Sequence, residues 1–471
     1  MQLSFAGRKE QTGLSAKRYL LFAGKTTAFF LLFLLLLIVP YSAWWLSESG
    51  DVSVERAVST QAAGSFALFG SGVSQDFVDY KLQLYNEVRP EIVAIGSSRV
   101  MQFRSRYFSK KFLNMGGVAG NLPVLRSTLD AMLCVHKPEA IILGLDFWWF
   151  MPTWNRDPFM EEPPTSGSYT YSIEALKKPW LWLLEGKISF ADFLAPWRGF
   201  WGEGFRKSRF GIMAQQTDDG FGPDGSWYNT AEATGQKKPF DYRFRDTMTQ
   251  IVSGSKAFYH VRDKQQAPSQ RHLDAFAEIY CRIQSRGIRT FVFIAPLAEQ
   301  TYQAMRERES LYPHLFTLAD ALKARGINVL DLTDPRRLAS GNCEFLDGFH
   351  GGEITYVRVL RSLCDQWSAL LNYVDLDAVQ RTILQWQGHT MVHDERVTSL
   401  WEKDVMDFGC PKKTSLPQDI QLPEKQPTLS SPPARLGEKE ELDEVKAKED
   451  NTASKQRTKK PRRRDNRKKE Q

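Results

Sequence analysis

The sequence contains few cysteines and histidines, and their spacing argues against a metal site. None of the five cysteines in the 471 residues forms a Cys-x-x-Cys pair, so a structural zinc site is not expected. His389 and His393 are four residues apart, but the sequence shows no third ligand and no glutamate after His389, which a zincin motif requires. We expect two ordinary histidines on a surface helix there, and neither a metal nor a cofactor.

The odd number of cysteines leaves at least one thiol free or paired with another molecule. Cys343 and Cys364 flank a segment that carries candidate catalytic residues, so they are a candidate disulfide pair. The sequence does not fix the connectivity.

A second long apolar run is also missing. The one such run, Thr26–Leu46, has 21 residues without a charge, which is long enough to cross a bilayer as a helix. Basic residues precede it and acidic residues follow it, which predicts a cytoplasmic N-terminus and an extracytoplasmic main domain. No convincing small-x-small cleavage site follows, so an uncleaved anchor is favoured over a signal peptide. We expect a single-pass protein of the cytoplasmic (inner) membrane with a periplasmic main domain.

The excess of positive charge lies at the two ends of the chain rather than in its body. Residues 455–471 carry a net charge of +8 and residues 1–25 one of +4, which leaves the rest mildly acidic and unlike a nucleic-acid-binding domain. The composition predicts a cytoplasmic segment (1–25), an anchor (26–46), an extracytoplasmic domain (47–408) and a disordered tail (409–471). The tail either only solubilises the protein or also binds an acidic polymer or anionic lipid.

The main domain alternates strand patterns with helix patterns, which predicts βαβ units, a mostly parallel sheet and flanking helices in an α/β fold. The predicted strands are Ile92–Ile95, Ala140–Leu145, Thr290–Ala295 and Asn328–Leu332, and the clearest predicted helices are Ser269–Arg286 and Glu299–Arg325.

A long insertion at residues 147–268 interrupts this alternation. It contains eight of the 13 Trp residues. Aromatic side chains can stack on the apolar faces of sugars, but buried Trp also dominates core packing. We expect most of these residues to pack in the interior and a minority to line a glycan groove, with Trp148 and Trp149 as candidate substrate contacts.

The stretch Glu91–Arg99, EIVAIGSSR, runs from a buried strand pattern into two serines. Gly and Ser are common turn formers, so an ordinary turn is one interpretation. The other is a nucleophilic serine, Ser98, held at the carboxyl end of a strand, where α/β sheets place their chemistry. Arg99 is a candidate substrate contact, and a salt bridge or a solvated position remains equally open.

Two further motifs would complement a serine nucleophile. In Phe345–Gly352, FLDGFHGG, Asp347 stands three residues before His350. On a tight turn its carboxylate can accept the imidazole N–H and leave the other ring nitrogen free as a base. In Leu113–Pro123, LNMGGVAGNLP, a glycine-rich loop can direct backbone N–H groups at an anion.

In this order, the three stretches resemble the SGNH hydrolase superfamily, and most closely a membrane-anchored branch. That branch includes the D-alanine-transfer proteins of teichoic acid operons and the alginate O-acetylation proteins. The resemblance implies a flavodoxin-like fold with Ser98 as nucleophile, His350 as base and Asp347 as the carboxylate that orients it. It also implies an oxyanion hole formed by the backbone N–H groups of Ser98 and Gly120. The asparagine of the family's third block is absent here, and Asn121 is the candidate substitute.

The function implied by this resemblance is transfer of an acyl group, expected to be acetyl, to or from an exopolysaccharide or cell-envelope glycan. A multi-pass membrane O-acyltransferase would be the partner that supplies the acyl group. An esterase that uses water as acceptor remains open, and so does a non-catalytic scaffold of a polysaccharide modification or export complex. The absent asparagine favours the scaffold, whereas the intact serine, histidine and aspartate oppose it.

Overall fold

The computed structural model describes residues 7–73, 77–152, 154, 157–160, 171–253, 259–261 and 268–416, with side chains from residue 17 onwards. Several stretches of the insertion and residues 417–471, which form most of the predicted tail, lie outside this set.

Five parallel strands form the central sheet: β1 (Ile92–Gly96), β2 (Phe112–Gly116), β3 (Ala140–Leu145), β4 (Arg289–Ile294) and β5 (Val329–Asp331). They lie in the order β2-β1-β3-β4-β5, and every neighbouring pair is parallel. This arrangement confirms the predicted parallel α/β organisation. The sequence analysis assigns Leu113–Pro123 to a loop, whereas its first four residues belong to β2 and pair with β1.

Successive strand residues divide the interior between the two faces of the sheet. In β1, Val93 and Ile95 pack into one apolar cluster, and Ile92 and Ala94 pack into the other. Each fully buried Ile or Val side chain contributes about 1.5–3 kcal/mol to folding. Burial on both faces explains why β1 and β3 read as continuous apolar runs.

Helices cover both faces and precede the sheet. Those of eight or more residues, within the described part of the chain, are α1 (Gly7–Ser49), α2 (Val54–Ala62), α3 (Val78–Val88), α4 (Leu122–Val135), α5 (Ile173–Leu184), α6 (Arg245–Ser253), α7 (Gln270–Ser285), α8 (Glu299–Arg306), α9 (Glu353–Gln366) and α10 (Leu376–Trp386). Shorter helices span Phe190–Phe193, Ala195–Arg198, Ile212–Thr217, Thr230–Ala233, Pro313–Phe316 and Leu318–Lys323.

The single helix predicted at Glu299–Arg325 is wrong, because the chain breaks it into α8 and shorter pieces. Tyr312 has a non-helical backbone, and Pro313 starts a new turn. Proline has no N–H to donate and disfavours a helical conformation in the residue before it, which explains the break at Tyr312. Helix α8 has already ended at Arg306.

Helix α1 contains the predicted span Thr26–Leu46 and is long and apolar enough to cross a membrane. No second helix in the described ranges meets that criterion. The C-terminal part of α1 packs against α5 of the insertion, where Trp180 Nε1 donates to Ser42 Oγ over 2.8 Å. The insertion therefore contacts the C-terminal part of the helix that contains the predicted span.

A small second sheet ties the insertion to the segment before β1. Its two-residue strands lie in the spatial order Arg209–Phe210, Leu68–Phe69, Gly220–Phe221 and Trp227–Tyr228. Trp227 also donates its backbone N–H to the carbonyl oxygen of Met101 over 3.1 Å, which places this sheet next to the turn that follows β1.

The disulfide joins Cys343 to Cys410, not to Cys364. Cys364 is a buried free thiol on α9, where its side chain packs in an apolar cluster. Cys410 lies beyond the predicted domain boundary at Phe408, and the described chain continues to residue 416. Lys412 Nζ, for example, lies 2.7 Å from Glu402 Oε1. The body therefore includes the first residues assigned to the tail.

Candidate active site

Glycines at the ends of β1 and β3 let the chain turn tightly after β1. A Cβ on Gly96 would lie 2.5 Å from Val100 Cγ2, and a Cβ on Gly144 would lie 2.5 Å from the same atom. The segment Ser98–Val100 therefore folds back over the strand ends as a 3₁₀ turn, with Ser97 Oγ accepting the Arg99 backbone N–H. This turn leaves Ser98 exposed at the carboxyl edge of the sheet.

Ser98, His350 and Asp347 form a continuous hydrogen-bonded chain. Ser98 Oγ lies 2.9 Å from His350 Nε2, and His350 Nδ1 lies 2.8 Å from Asp347 Oδ2. The backbone N–H groups of Phe349 and His350 both donate to Asp347 Oδ1 over 2.7 Å, so the loop fixes its own carboxylate. The structure thus brings together three side chains that sequence analysis selects from stretches 252 residues apart.

The charges of this chain of hydrogen bonds favour an ionised aspartate beside a basic imidazole. Burial alone would raise the pKa of Asp347, but His350 and the two backbone N–H donors bring it below its ordinary value. Burial of His350 disfavours its charged form, but the Asp347 carboxylate outweighs burial and raises the pKa of His350. His350 is therefore a stronger base than an isolated histidine.

The loop after β2 is held against the serine turn. The backbone N–H of Gly117 donates to the carbonyl oxygens of Gly96 (3.0 Å) and Ser97 (2.9 Å). Gly120 lies exposed at the end of this loop, and neither its N–H nor that of Ser98 has an acceptor within the described residues. Both groups therefore remain available to a ligand anion.

Asn121 serves the helix that follows this loop. Its Oδ1 accepts the backbone N–H of Val124 over 2.8 Å and caps α4. The cap fixes where the side chain lies, and a role of Asn121 at the oxyanion stays a prediction.

Arg99 does not lie on the surface of the site, which corrects the expected substrate contact in favour of the salt bridge. Its guanidinium is buried, and Nη1 lies 3.0 Å from Asp146 Oδ1. Nη2 donates to the carbonyl oxygens of Ala295 (2.9 Å) and Pro296 (2.5 Å), and Nε donates to that of Phe349 (3.0 Å). Arg99 therefore holds together the ends of β1, β3 and β4 and the loop that carries His350.

Trp148 and Trp149 were expected to contact substrate, but both side chains are buried. Trp149 is fully buried, and Trp148 is 8% exposed and stacks on Tyr259 with ring centroids 4.6 Å apart. Both belong to the 3₁₀ turn Phe147–Phe150 directly after β3, whose four aromatic side chains face the interior. They match the core-packing interpretation instead.

A cleft of about 310 Å³ opens at Ser98 and His350, and residues that sequence analysis did not select line it. The aromatic lining residues are Phe77, Trp227 and Phe240, and the polar ones include Gln102, Asn229 and Glu232. Trp227 belongs to the small sheet, Glu232 belongs to the short helix Thr230–Ala233, and Asn229 lies between them. The high Trp content of the insertion was the signal for an aromatic wall, but it does not distinguish Trp227 from its buried counterparts.

Glu232 is the acidic member of this lining. Burial, reinforced by the Asp347 carboxylate, raises the pKa of Glu232, while Lys237 at 3.8 Å opposes the shift. A carboxyl group accepts hydrogen bonds when it is ionised and can also donate one when it is protonated.

The pair of histidines at the C-terminal end lies in a loop, so the predicted surface helix there is wrong. Helix α10 ends at Trp386; His389 is buried and its Nε2 accepts the Lys413 backbone N–H over 3.0 Å. His393 stacks on Trp401 with centroids 4.0 Å apart. Within the described ranges, no group of three or more His, Cys, Asp or Glu is placed to hold a metal ion.

Comparison of the chain with protein-family models, with curated proteins and with solved structures gave no match.

Proposed function

We propose that this protein is a membrane-anchored SGNH-type acyltransferase that moves an acyl group, expected to be acetyl, on an exopolysaccharide or cell-envelope glycan. The observation that carries the proposal is the chain of hydrogen bonds from Ser98 Oγ through His350 to Asp347 at the floor of an open cleft. The strand order supports it, because β2-β1-β3-β4-β5 is the flavodoxin-like order, in which ligands bind beyond the carboxyl ends of the strands.

In this mechanism, Ser98 Oγ attacks the acyl carbonyl carbon while His350 Nε2 accepts the hydroxyl proton. Asp347 stays ionised and stabilises the imidazolium that forms. The backbone N–H groups of Ser98 and Gly120, supported by Asn121, stabilise the oxyanion. His350 then protonates the departing oxygen and leaves an acyl group on Ser98. A glycan hydroxyl, deprotonated by His350, then attacks that ester. The bond between Ser98 Oγ and the acyl carbon breaks, His350 returns the proton to Ser98 Oγ, and the acylated glycan leaves.

The lining of the cleft supports a carbohydrate as acceptor. Trp227 and Phe240 offer aromatic faces on which the apolar face of a sugar ring can stack. Gln102, Asn229 and Glu232 line the same cleft and supply hydrogen-bonding groups for sugar hydroxyls. A simple hydrophobic ester would need no such polar set.

The compartment is part of the proposal. The basic residues before Thr26–Leu46 orient the anchor with its N-terminus in the cytoplasm. The Cys343–Cys410 disulfide supports a main domain in the periplasm, because disulfides persist in oxidising compartments. On this side of the membrane, a multi-pass O-acyltransferase would be the partner that supplies the acyl group.

An esterase acting on the same glycan is the alternative that the geometry also favours. The His350 side chain is 36% exposed and Ser98 is exposed, so water can reach the acyl-serine. The two functions differ only in the group that takes the acyl chain from Ser98.

The test uses the full chain in detergent with an activated acetyl ester. Ser98→Ala should abolish turnover and the acetyl-serine that peptide mass spectrometry detects, whereas Ser97→Ala should retain most of both. Adding an oligosaccharide acceptor should raise turnover and give an acetylated sugar if the protein is a transferase. Equal background rates in wild type, Ser98→Ala and Ser97→Ala would refute catalysis and favour the scaffold.

Topology is tested separately. A reporter that works only outside the cytoplasm should be active at the C-terminus and inactive at the N-terminus. The reverse pattern would rule out an extracellular glycan as substrate.

A further inference from the structure

Two adjoining cavities flank the short helix Ala195–Arg198, away from the candidate active site. One, the apolar groove, has a volume of about 520 Å³ and is lined by hydrocarbon and aromatic side chains that include Leu37, Tyr41, Trp44 and Trp197. The other, the basic cleft, also has about 520 Å³ and is lined by Arg56, Arg206, Lys207 and Arg209, with Glu48 as its one carboxylate.

The two cavities follow one face of α1. Leu37, Tyr41, Trp44 and Glu48 are spaced by four, three and four residues, which places them on a single stripe of a helix. The first three line the groove and the last lines the cleft. At 1.5 Å per residue, the stripe is about 16 Å long. That length accommodates a phosphate headgroup and the upper part of a hydrocarbon chain.

We propose that the apolar groove and the basic cleft together bind one anionic lipid, with its phosphate in the cleft and a hydrocarbon chain in the groove. The inference rests on the membrane anchorage proposed above and is independent of the Ser98 chemistry. The predicted topology directs Leu37 towards the bilayer interior and Glu48 towards its outer surface. A lipid of the outer leaflet has the same polarity along this stripe.

Two of the basic side chains in the cleft, Arg56 and Lys207, are available to pair with a phosphate. Asp218 pairs with both Arg206 (2.9 Å) and Arg209 (2.7 Å), which commits those two to the fold. Arg56 donates to a backbone carbonyl oxygen, that of Ser47, over 3.0 Å. Neither Arg56 nor Lys207 forms an ion pair with any residue that the structure describes.

The rim of the cavities favours a lipid surface over water as its environment. Phe200 and Trp201, which follow the short helix, are 73% and 77% exposed. Trp44 packs edge-on against Trp197 with centroids 5.1 Å apart, and Phe200 lies 5.7 Å from Trp44. Aromatic side chains of this kind concentrate at membrane interfaces. The rim is continuous with the predicted membrane span, so the occupant is a lipid.

Native mass spectrometry of the full chain in detergent tests the headgroup contact. The protein is titrated with phosphatidylglycerol, a polyprenyl phosphate or phosphatidylcholine. Both anionic lipids should bind more tightly than phosphatidylcholine, and a preference between them identifies the source. Arg56→Gln/Lys207→Gln should weaken anionic binding by about 25-fold, because each basic residue near an anionic headgroup contributes a factor of about five.

The matched control is Lys110→Gln/Lys323→Gln, which removes two exposed positive charges elsewhere. It should bind like wild type. Lys207→Gln alone should weaken binding by about fivefold and keeps the test valid if the double variant fails to fold. Equal affinity for all three lipids, or no loss in either cleft variant, would overturn the phosphate site.

A second comparison tests the hydrocarbon contact. Trp197→Ala should weaken lipid binding several-fold, whereas Trp154→Ala should not, although the two side chains are similarly exposed at 45% and 41%. An unchanged lipid affinity in Trp197→Ala, with oligomers of the chain lost instead, would assign the groove to a second copy and refute the lipid.

Discussion

Two carboxylate–base pairs lie at the same edge of the sheet, but only one of them is accessible. Asp347 is hydrogen-bonded to His350, and His350 is hydrogen-bonded to the exposed hydroxyl of Ser98. Asp146 and Arg99 are 2% and 1% exposed, and the Arg99 guanidinium donates to the Asp146 carboxylate and to three backbone carbonyl oxygens. Because Ser98 and Arg99 are consecutive in one 3₁₀ turn, the backbone sends one side chain to the cleft and the other to the interior.

The accessible pair is suited to proton transfer, whereas the buried pair holds the strand ends and the His350 loop in place. The accessible pair has a titratable base next to a hydroxyl, which is what an acyl-transfer step requires. The buried pair carries charges that never meet a ligand, and Arg99 Nε instead holds the Phe349 carbonyl oxygen within the loop of His350. Substitutions in the Asp347–His350 pair should therefore change activity, whereas substitutions in the Asp146–Arg99 pair should change stability.

The largest expected effect is on activity. Asp347→Asn should lower kcat for an activated ester by about 10³–10⁴-fold, because the imidazole loses the acceptor that fixes its tautomer and stabilises its charge. The melting temperature should change little. If Asp347→Asn instead lowers the melting temperature and keeps its specific activity at temperatures where it is folded, the distinction between the two pairs is lost.

Next comes stability. Arg99→Met should lower the free energy of unfolding by about 3–5 kcal/mol in denaturant titrations, because it leaves Asp146 buried and unpaired. Arg99→Met/Asp146→Leu should recover part of that loss, since replacing both charges leaves none uncompensated. A stable Arg99→Met protein whose sole defect is a raised KM would show that Arg99 binds substrate after all.

The pH dependence of activity sharpens the comparison further. His350 must be neutral to accept the Ser98 proton, and Asp347 raises the pKa of His350 above 6.5. The rate should therefore fall as pH drops through a value above 6.5, and Asp347→Asn should move this inflection to lower pH. The same raised pKa gives a stabilisation that is complete below pH 6.5 and is lost as pH rises through the folded-state value. An inflection unchanged in Asp347→Asn would contradict this assignment.

The smallest expected effect concerns Ser97, which lies between the two pairs. Its Oγ accepts the Arg99 backbone N–H over 3.2 Å. Ser97→Ala should cost about 1 kcal/mol in unfolding experiments and change ester turnover by no more than a few-fold. A loss of turnover as large as that of Ser98→Ala would mean that the nucleophile is misassigned.

Sequence patterns were informative where the signal is local. The apolar runs predict β1 and β3, and the Asp347–His350 spacing predicts a hydrogen bond within one turn. The ion pair between Arg99 and Asp146 could not be predicted, because Asp146 follows another strand and a single sequence does not show which strands are neighbours.

Long-range contacts account for the other differences. Cys410 reaches Cys343 through a closing segment whose composition resembles a flexible tail. Trp227 lines the cleft because a two-residue strand docks beside Met101, and so short a strand has no periodicity to detect.

The separation of Ser98 and His350 along the chain also determines when the site can exist. β1 finds its neighbours β2 and β3 soon after it is made, whereas β4 must wait for the insertion, and His350 lies 252 residues beyond Ser98. Contacts of such large sequence separation form slowly. A chain that is made from its N-terminus thus exposes its serine turn well before its base is present. The Cys343–Cys410 bond, which requires nearly the whole body, comes last. Chains that end before His350 therefore carry no assembled triad, and the Cys343–Cys410 bond can form only after the chain has been made as far as Cys410.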